Sequence, residues 1–242
     1  ADGEAGGMIP SGQDEGDEDL GFANYLAGGV DRLLSRLRTG DVASEEGREG
    51  ARKSIIELEQ QRNFPFDPGF FSLAVSGAWE LLYSTSRVGV PDPSLKVRRI
   101  LSELNGLNKT LTHKVLWEYS EQLEGGGTHD TKGVFDISCV YNLSEVPSVP
   151  TRMIIAVEEY RLTCQPVKNA PKDPQGLVAA LQRALPREFF DPDEALMDTT
   201  YLDPNVRLVC YLGKRFAGVR HVYTREGVPA ELSALSEASQ ED

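Results

Sequence analysis

Residues 110–119 alternate along almost their whole length. Leu111, His113, Val115, Trp117 and Tyr119 fall on one side, and Thr110, Thr112, Lys114, Leu116 and Glu118 on the other. Successive side chains of a strand point to opposite faces, so this period of two predicts a strand with one face on a core. Gly125-Gly126-Gly127-Thr128-His129-Asp130 then reads as a flexible hairpin connection. Phe135, Ile137, Cys139 and Tyr141 alternate on the returning strand. An antiparallel sheet is the direct consequence.

The same period appears on both sides of this hairpin. Upstream, Trp79, Leu81 and Tyr83 lie on one side of a strand and Glu80, Leu82 and Ser84 on the other. Gly77 lets the chain turn just before the tryptophan. Taken alone, this is the first strand of some antiparallel sheet. Downstream come Met153 to Cys164, Thr199 to Leu202, Val206 to Leu212 and Val219 to Tyr223. About six clear strands, most joined by short turns, suit a meander and not alternating βαβ units. Closure removes the edges of such a sheet, and about eight strands enclose one small ligand. Six falls short of eight, so the expected barrel is closed or partly open.

Helices precede the sheet. Val30, Leu33, Leu34 and Leu37 share one helix face, with Gly28-Gly29 expected to break it from a shorter segment around Phe22, Tyr25 and Leu26. A second helix is expected from Ser44 to Arg62, ended by Pro65 and Pro68. The pair has too little apolar surface to stand alone, and is expected to pack on the β domain as a lid or bracket. Asp173-Pro174 opens one short inserted helix, with Leu177, Val178, Leu181 and Leu185 on its apolar face, placed to plug one end of a barrel.

The net charge of −13 belongs to the ends of the chain. Seven acids lie in residues 1–19 and five in residues 226–242, and neither stretch holds a Lys or Arg. The remaining 26 acids face 25 bases. Acidic ends of this kind are expected to be disordered tails, and they repel nucleic acid. The expected layout is a tail over 1–19, a helical leader over 20–68, a barrel over 69–225 and a second tail over 226–242. No window is apolar enough to cross a membrane as a helix, so a membrane role is expected to be peripheral. Ala1, with no signal-like apolar core after it, fits a chain that has lost a targeting segment or been cut. Cys139, Cys164 and Cys210 read as buried free thiols, with a Cys139–Cys164 bridge open in an oxidising compartment.

Catalytic signatures are missing. There is no G-x-S-x-G, no P-loop, no G-x-G-x-x-G at a strand–helix junction and no H-E-x-x-H, so a non-enzymatic protein without a metal site is expected. Lys96, Arg98 and Arg99 form a basic patch, either a charged surface or a contact for an anion or lipid head group. His113, on the face of Leu111, Val115 and Trp117, is either a hydrogen-bonded core histidine or a contact to a polar ligand group or a pigment's magnesium.

Two motifs resemble the plastid lipid-associated proteins, also called fibrillins. The first runs from Leu73 to Ser86 and carries Gly77, Trp79, Leu82, Tyr83, Ser84 and Thr85. The second is Thr199-Thr200-Tyr201-Leu202-Asp203-Pro204-Asn205-Val206-Arg207. The leader around Ile55, Ile56, Leu58 and Glu59 is similar to the family's opening segment, and the likeness covers roughly residues 30–225. The chain departs from the family pattern over Val209 to Gly218, where an Arg-Gly and a further Gly are usual.

The resemblance implies a lipocalin-like antiparallel β-barrel and a chloroplast address, peripheral on the thylakoid. It also implies binding or organising lipids, isoprenoids or pigments. A bound lipid, carotenoid, quinone or chlorophyll would then meet pocket candidates Trp79, Tyr83, His113, Trp117, Phe135, Tyr141, Tyr201 and Arg207. An Arg207 guanidinium over the Trp79 indole would tie the first and last parts of the barrel together. The alternative is a structural or assembly subunit docked on a photosynthetic membrane complex, its barrel filled by its own side chains. In either case the partners are a thylakoid surface or membrane complex and not nucleic acid.

Overall fold

The computed structural model describes residues 17–63, 67–86, 92–123, 125–146, 148–149, 151–165, 170–190 and 196–226, without the side chains of 17–27, 41 and 226. The expected tails therefore lie almost wholly outside the described residues, as do most of the loop after residue 86 and the side chains of Phe22, Tyr25 and Leu26. The chain divides into two compact units, which part between Leu58 and Glu59.

The first unit holds helix α1 (Asp17–Arg38), a 3-10 turn (Asp41–Ala43) and most of α2 (Glu45–Gln60). Val30 and Leu33 of α1 and Ala51, Ile55 and Leu58 of α2 are buried, as their spacing predicts. Ser44 starts α2 by accepting a hydrogen bond from the Gly47 amide at 2.9 Å, and Glu45 and Glu46 follow in the first turn. One expectation fails here. Gly28-Gly29 does not break α1, which runs through both glycines for 22 residues. Glycine weakens a helix by about 1 kcal/mol without forbidding it.

The second unit is a closed antiparallel barrel of eight strands among the described residues. They are β1 (Gly77–Ser84), β2 (Leu95–Asn105), β3 (Thr110–Gln122), β4 (Thr128–Leu143), β5 (Arg152–Gln165), β6 (Leu196–Leu202), β7 (Val206–Tyr211) and β8 (Arg220–Glu226). Each pairs with its neighbours in chain order, and β8 returns to β1. The barrel is closed, which settles the expectation of a closed or partly open one. The closure is uneven, however. β5 meets β6 through three residue pairs, Arg152–Asp198, Met153–Met197 and Ile154–Leu196.

Two elements escaped sequence reading. β2 is one, because Lys96, Arg98 and Arg99 mask its alternation. Both arginines pair across the sheet instead, Arg98 with Glu118 on the exposed surface and Arg99 with both oxygens of the half-buried Glu80. The other is α3 (Pro68–Val75), a helix of eight residues. Asp67 caps it by accepting from the Phe70 amide at 2.7 Å, with Pro68 at its first position.

Helices close both ends of the barrel. At one end α3 sends Phe71 and Val75 into the core. The β2–β3 turn meets it at Gly106, where an added Cβ would come within 2.0 Å of the Ser72 carbonyl. At the other end α4 (Pro174–Ala184) buries Leu177, Ala180 and Leu181. Asp173 caps it, and Glu121 at the end of β3 accepts from the Lys172 and Asp173 amides. The inserted helix thus lies where its sequence predicted.

Candidate functional site in the barrel interior

Strand register decides which side chains share the inside. Trp79 pairs with Ser102, Ser102 with His113 and His113 with Ile137, so these four lie in one row across β1 to β4. Val115 pairs with Phe135 in the next row, and Trp117 with Gly133 beyond it. Gly133 matters for packing, because a Cβ there would meet the Trp117 ring at 2.8 Å and the Thr163 carbonyl at 1.9 Å. From the closing strands, Arg207 pairs with Tyr223 and Val209 with His221, so all four face inward.

Six of the eight expected residues therefore meet inside: Trp79, His113, Trp117, Phe135, Tyr141 and Arg207. Two do not. Tyr201 is buried but pairs with Leu208, on the face opposite Arg207, and its hydroxyl donates to Asp203 at 2.9 Å. A register shift between Thr199 and Tyr201 turns it away. Tyr83 follows a similar shift after Leu81 and is only partly buried. The expected Arg207–Trp79 stack is replaced by another. Arg225 of β8 lies over the indole, 4.2 Å from the ring centre, while the indole N–H donates to the Val75 carbonyl at 2.8 Å. Arg225 also donates to the carbonyls of Ala74, Ser76 and Pro204. These bonds tie the last strand to the C-terminal end of α3, where carbonyls favour a cation.

The interior holds a polar network that local patterning did not announce. A 3-10 turn, Arg187–Phe189, enters from the α4 end. The Phe189 ring stacks on His113 with centroids 4.0 Å apart. The Glu188 carboxylate reaches His221 Nε2 at 2.6 Å and accepts from the Ser86 hydroxyl at 2.8 Å. His221 Nδ1 meets the Tyr223 hydroxyl at 2.9 Å, and His113 Nδ1 meets the Ser102 hydroxyl at 2.8 Å. Glu188 and His221 are wholly enclosed.

Charge inside is set by this burial. Burial pushes Glu188 up, but bonds from His221 and Ser86, with the charge of His221, hold the carboxyl below its usual value. His113 is pushed down to about 3 by burial first and then by the charges of His221 and Arg207, so it is neutral at pH 7. Arg207 is also lowered by burial, to about 10, and stays charged. Its Nε donates to the Thr199 hydroxyl at 3.1 Å and its Nη2 to the Met153 sulfur at 3.3 Å. Among the described residues no carboxylate bonds to it. Burial raises the neighbouring phenols Tyr141, Tyr211 and Tyr223, which stay neutral. Trp117 Nε1 and the Tyr141 hydroxyl are buried without a hydrogen-bond partner among the described residues.

Among the described residues little of this interior is open. Trp117, Arg207, Tyr141, Tyr211, Tyr223, Phe135 and Phe189 each expose 2% of their surface or less. A cavity of lipid size would leave such walls accessible from within. A pocket of about 300 Å³ lies instead on the outside of β6–β8, among Glu59, Thr200, Asp198, Cys210 and Arg220. A groove of about 670 Å³ runs along α3 and the β6–β7 turn, past Phe70, Ala74, Pro204 and Arg225. The three cysteines are free thiols.

Glu188, Phe189, His221, Tyr211 and Tyr223 were not singled out from sequence. His221 and Tyr223 carried the usable signal, two polar rings spaced for one strand face. Glu188 carried none, since it lies between a helix and a strand. No family model matches the chain, and no curated protein matches its sequence.

Proposed function

We propose that this is a non-enzymatic structural or assembly protein whose barrel is filled by its own side chains, and not a carrier with an open cup. The observation that supports this reading is the Arg187–Phe189 turn, whose Glu188 and Phe189 side chains occupy the inside. Phe189 stacks on His113, and Glu188 is held by His221 and Ser86. Pocket candidates Trp117, Phe135 and Tyr141 are buried against protein and leave no accessible wall for a ligand. On the resemblance to fibrillins, the proposed location is the chloroplast, peripheral on the thylakoid, with a photosynthetic membrane complex as the partner.

The carrier reading has one observation in its favour. Arg207 is an enclosed cation without a carboxylate among the described residues, and the buried Tyr141 hydroxyl lacks a partner. A carboxylate or other polar head group would satisfy both, but only if the 187–189 turn withdrew. Extraction of the purified full chain with organic solvent separates the two readings. An empty extract, with membrane-complex subunits co-purifying from the source, is expected. One lipid, quinone or pigment per chain would instead establish the carrier.

A further inference from the structure

The pocket of about 300 Å³ on the outside of the barrel has one cross-strand row for a floor. Arg152 pairs with Asp198, Asp198 with Cys210 and Cys210 with Arg220, so these four share the outer face of β5 to β8. Glu59 and Arg62, at the start of the second unit, and Ser148, in the β4–β5 turn, add to the wall. Glu59 is anchored there. Its carboxylate accepts from the Thr200 hydroxyl at 3.0 Å, and both its oxygens accept from Arg220 Nε at 3.0 Å. Both oxygens of Asp198 accept from Arg152. Each carboxylate of the pocket thus has its own guanidinium.

Donors are left over. Among the described residues the Arg62 guanidinium, Arg220 Nη2 and the Ser148 hydroxyl carry no hydrogen bond. Arg62, Arg152 and Arg220 stand against Glu59 and Asp198, so positive charge is in excess. Spare N–H and O–H donors beside an excess cation suit a ligand that accepts hydrogen bonds and carries negative charge. The backbone of Arg62 adds to this. Its φ of 50° is left-handed, just past α2, where its amide donates to the Glu59 carbonyl at 3.1 Å. Glycine is usual at such a helix end, and a larger residue held there is strained. Strain of this kind gathers at binding sites. The geometry points to a binding site for a small oxyanion, a carboxylate or a phosphate monoester, held by Arg62 at the rim with Arg220 and Ser148 beside it. The volume lies at the lower end of ligand sites, which sets the size. The site is on the outer face of the sheet, so it does not depend on what fills the barrel.

Two readouts on the full chain test this: thermal unfolding, and alkylation of Cys210 in the pocket floor by N-ethylmaleimide. Peptide mass spectrometry follows the second, with Cys164, outside the pocket, as the internal control. At constant ionic strength, inorganic phosphate or acetate is expected to raise the melting temperature, because the folded chain alone binds it. Either anion is also expected to slow Cys210 and not Cys164. Acetamide, the shape of acetate without its charge, is expected to do neither. The more effective anion identifies the head group. Arg62→Gln is expected to weaken binding about tenfold, the loss of one charge-assisted contact. Arg62→Gly relieves the left-handed residue, so it is expected to melt above the wild type without anion and yet to lose the anion-dependent rise. No response to either anion, an equal response to acetamide, or an undiminished response in either Arg62 variant would each overturn the proposal.

Discussion

His113 shows how one interior residue sets a pH dependence for the fold. It sits between the Ser102 hydroxyl and the Phe189 ring, with a pKa pushed down from 6.5 to about 3. The unfolded chain takes up a proton below pH 6.5 that the folded chain refuses. The stability tied to this residue is therefore complete above about pH 6.5 and is lost as pH falls toward 3, by about 1.4 kcal/mol per pH unit. His113→Gln removes that loss. Urea unfolding at several pH values between 4 and 7 should give a shallower decline for the variant. Parallel curves would mean that the ring titrates as it does in water. Glu188 also loses stability as pH falls through its lowered value, but it does so equally in both proteins. Arg225 makes a separate point at this scale. Sequence reading correctly placed a cation over Trp79 but took it from the wrong strand, because register, not residue type, selects which arginine arrives.

Among the elements, the β3–β4–β5 sheet and the β5–β6 seam differ in strength. At Gly133 the β4 backbone passes close to the Trp117 ring and to the Thr163 carbonyl of β5. Gly133→Ala forces a Cβ against the Thr163 carbonyl and the indole, and should cost about 1–3 kcal/mol by urea unfolding. An unchanged midpoint would show that the strands can part there freely. The seam is held by three residue pairs, the Arg152–Asp198 fork at 2.9 and 3.0 Å, and the Thr151 hydroxyl on the Thr199 carbonyl. Fewer shared hydrogen bonds mean a lower local opening energy. Hydrogen exchange is expected to be about tenfold or more faster for the amides of 196–198 than for those of 111–117. Equal protection would mean that the barrel opens only as a whole. The strands at 79, 111, 135 and 206 were legible because alternation is a local property. β2 was hidden because its outward residues are bulky cations, and α3 because its eight residues span barely two turns.

At the scale of the barrel, the inside is a plug of aromatic rings around a buried Glu188–His221 pair and an enclosed Arg207. Phe189 is the part of that plug carried by the 3-10 turn. Phe189→Ala should cost about 3–5 kcal/mol and leave an apolar cavity. The variant, unlike the wild type, is then expected to gain thermal stability from a small apolar molecule such as benzene, because binding to the folded state alone raises its melting temperature. Equal behaviour of the two proteins would mean that the barrel collapses on the gap. The sequence by itself determined that this chain rolls into an antiparallel barrel, capped by a helix after Asp173 and with Trp117, Phe135 and Tyr141 turned inward. Those features follow from a period of two and from capping chemistry, both of which act over a few residues. Only the tertiary structure decided what fills the barrel. Glu188 finds Ser86 across 102 positions and His221 across 33, and two β-bulges swing Tyr83 and Tyr201 out of line. Such meetings depend on closure and register, which no local pattern encodes.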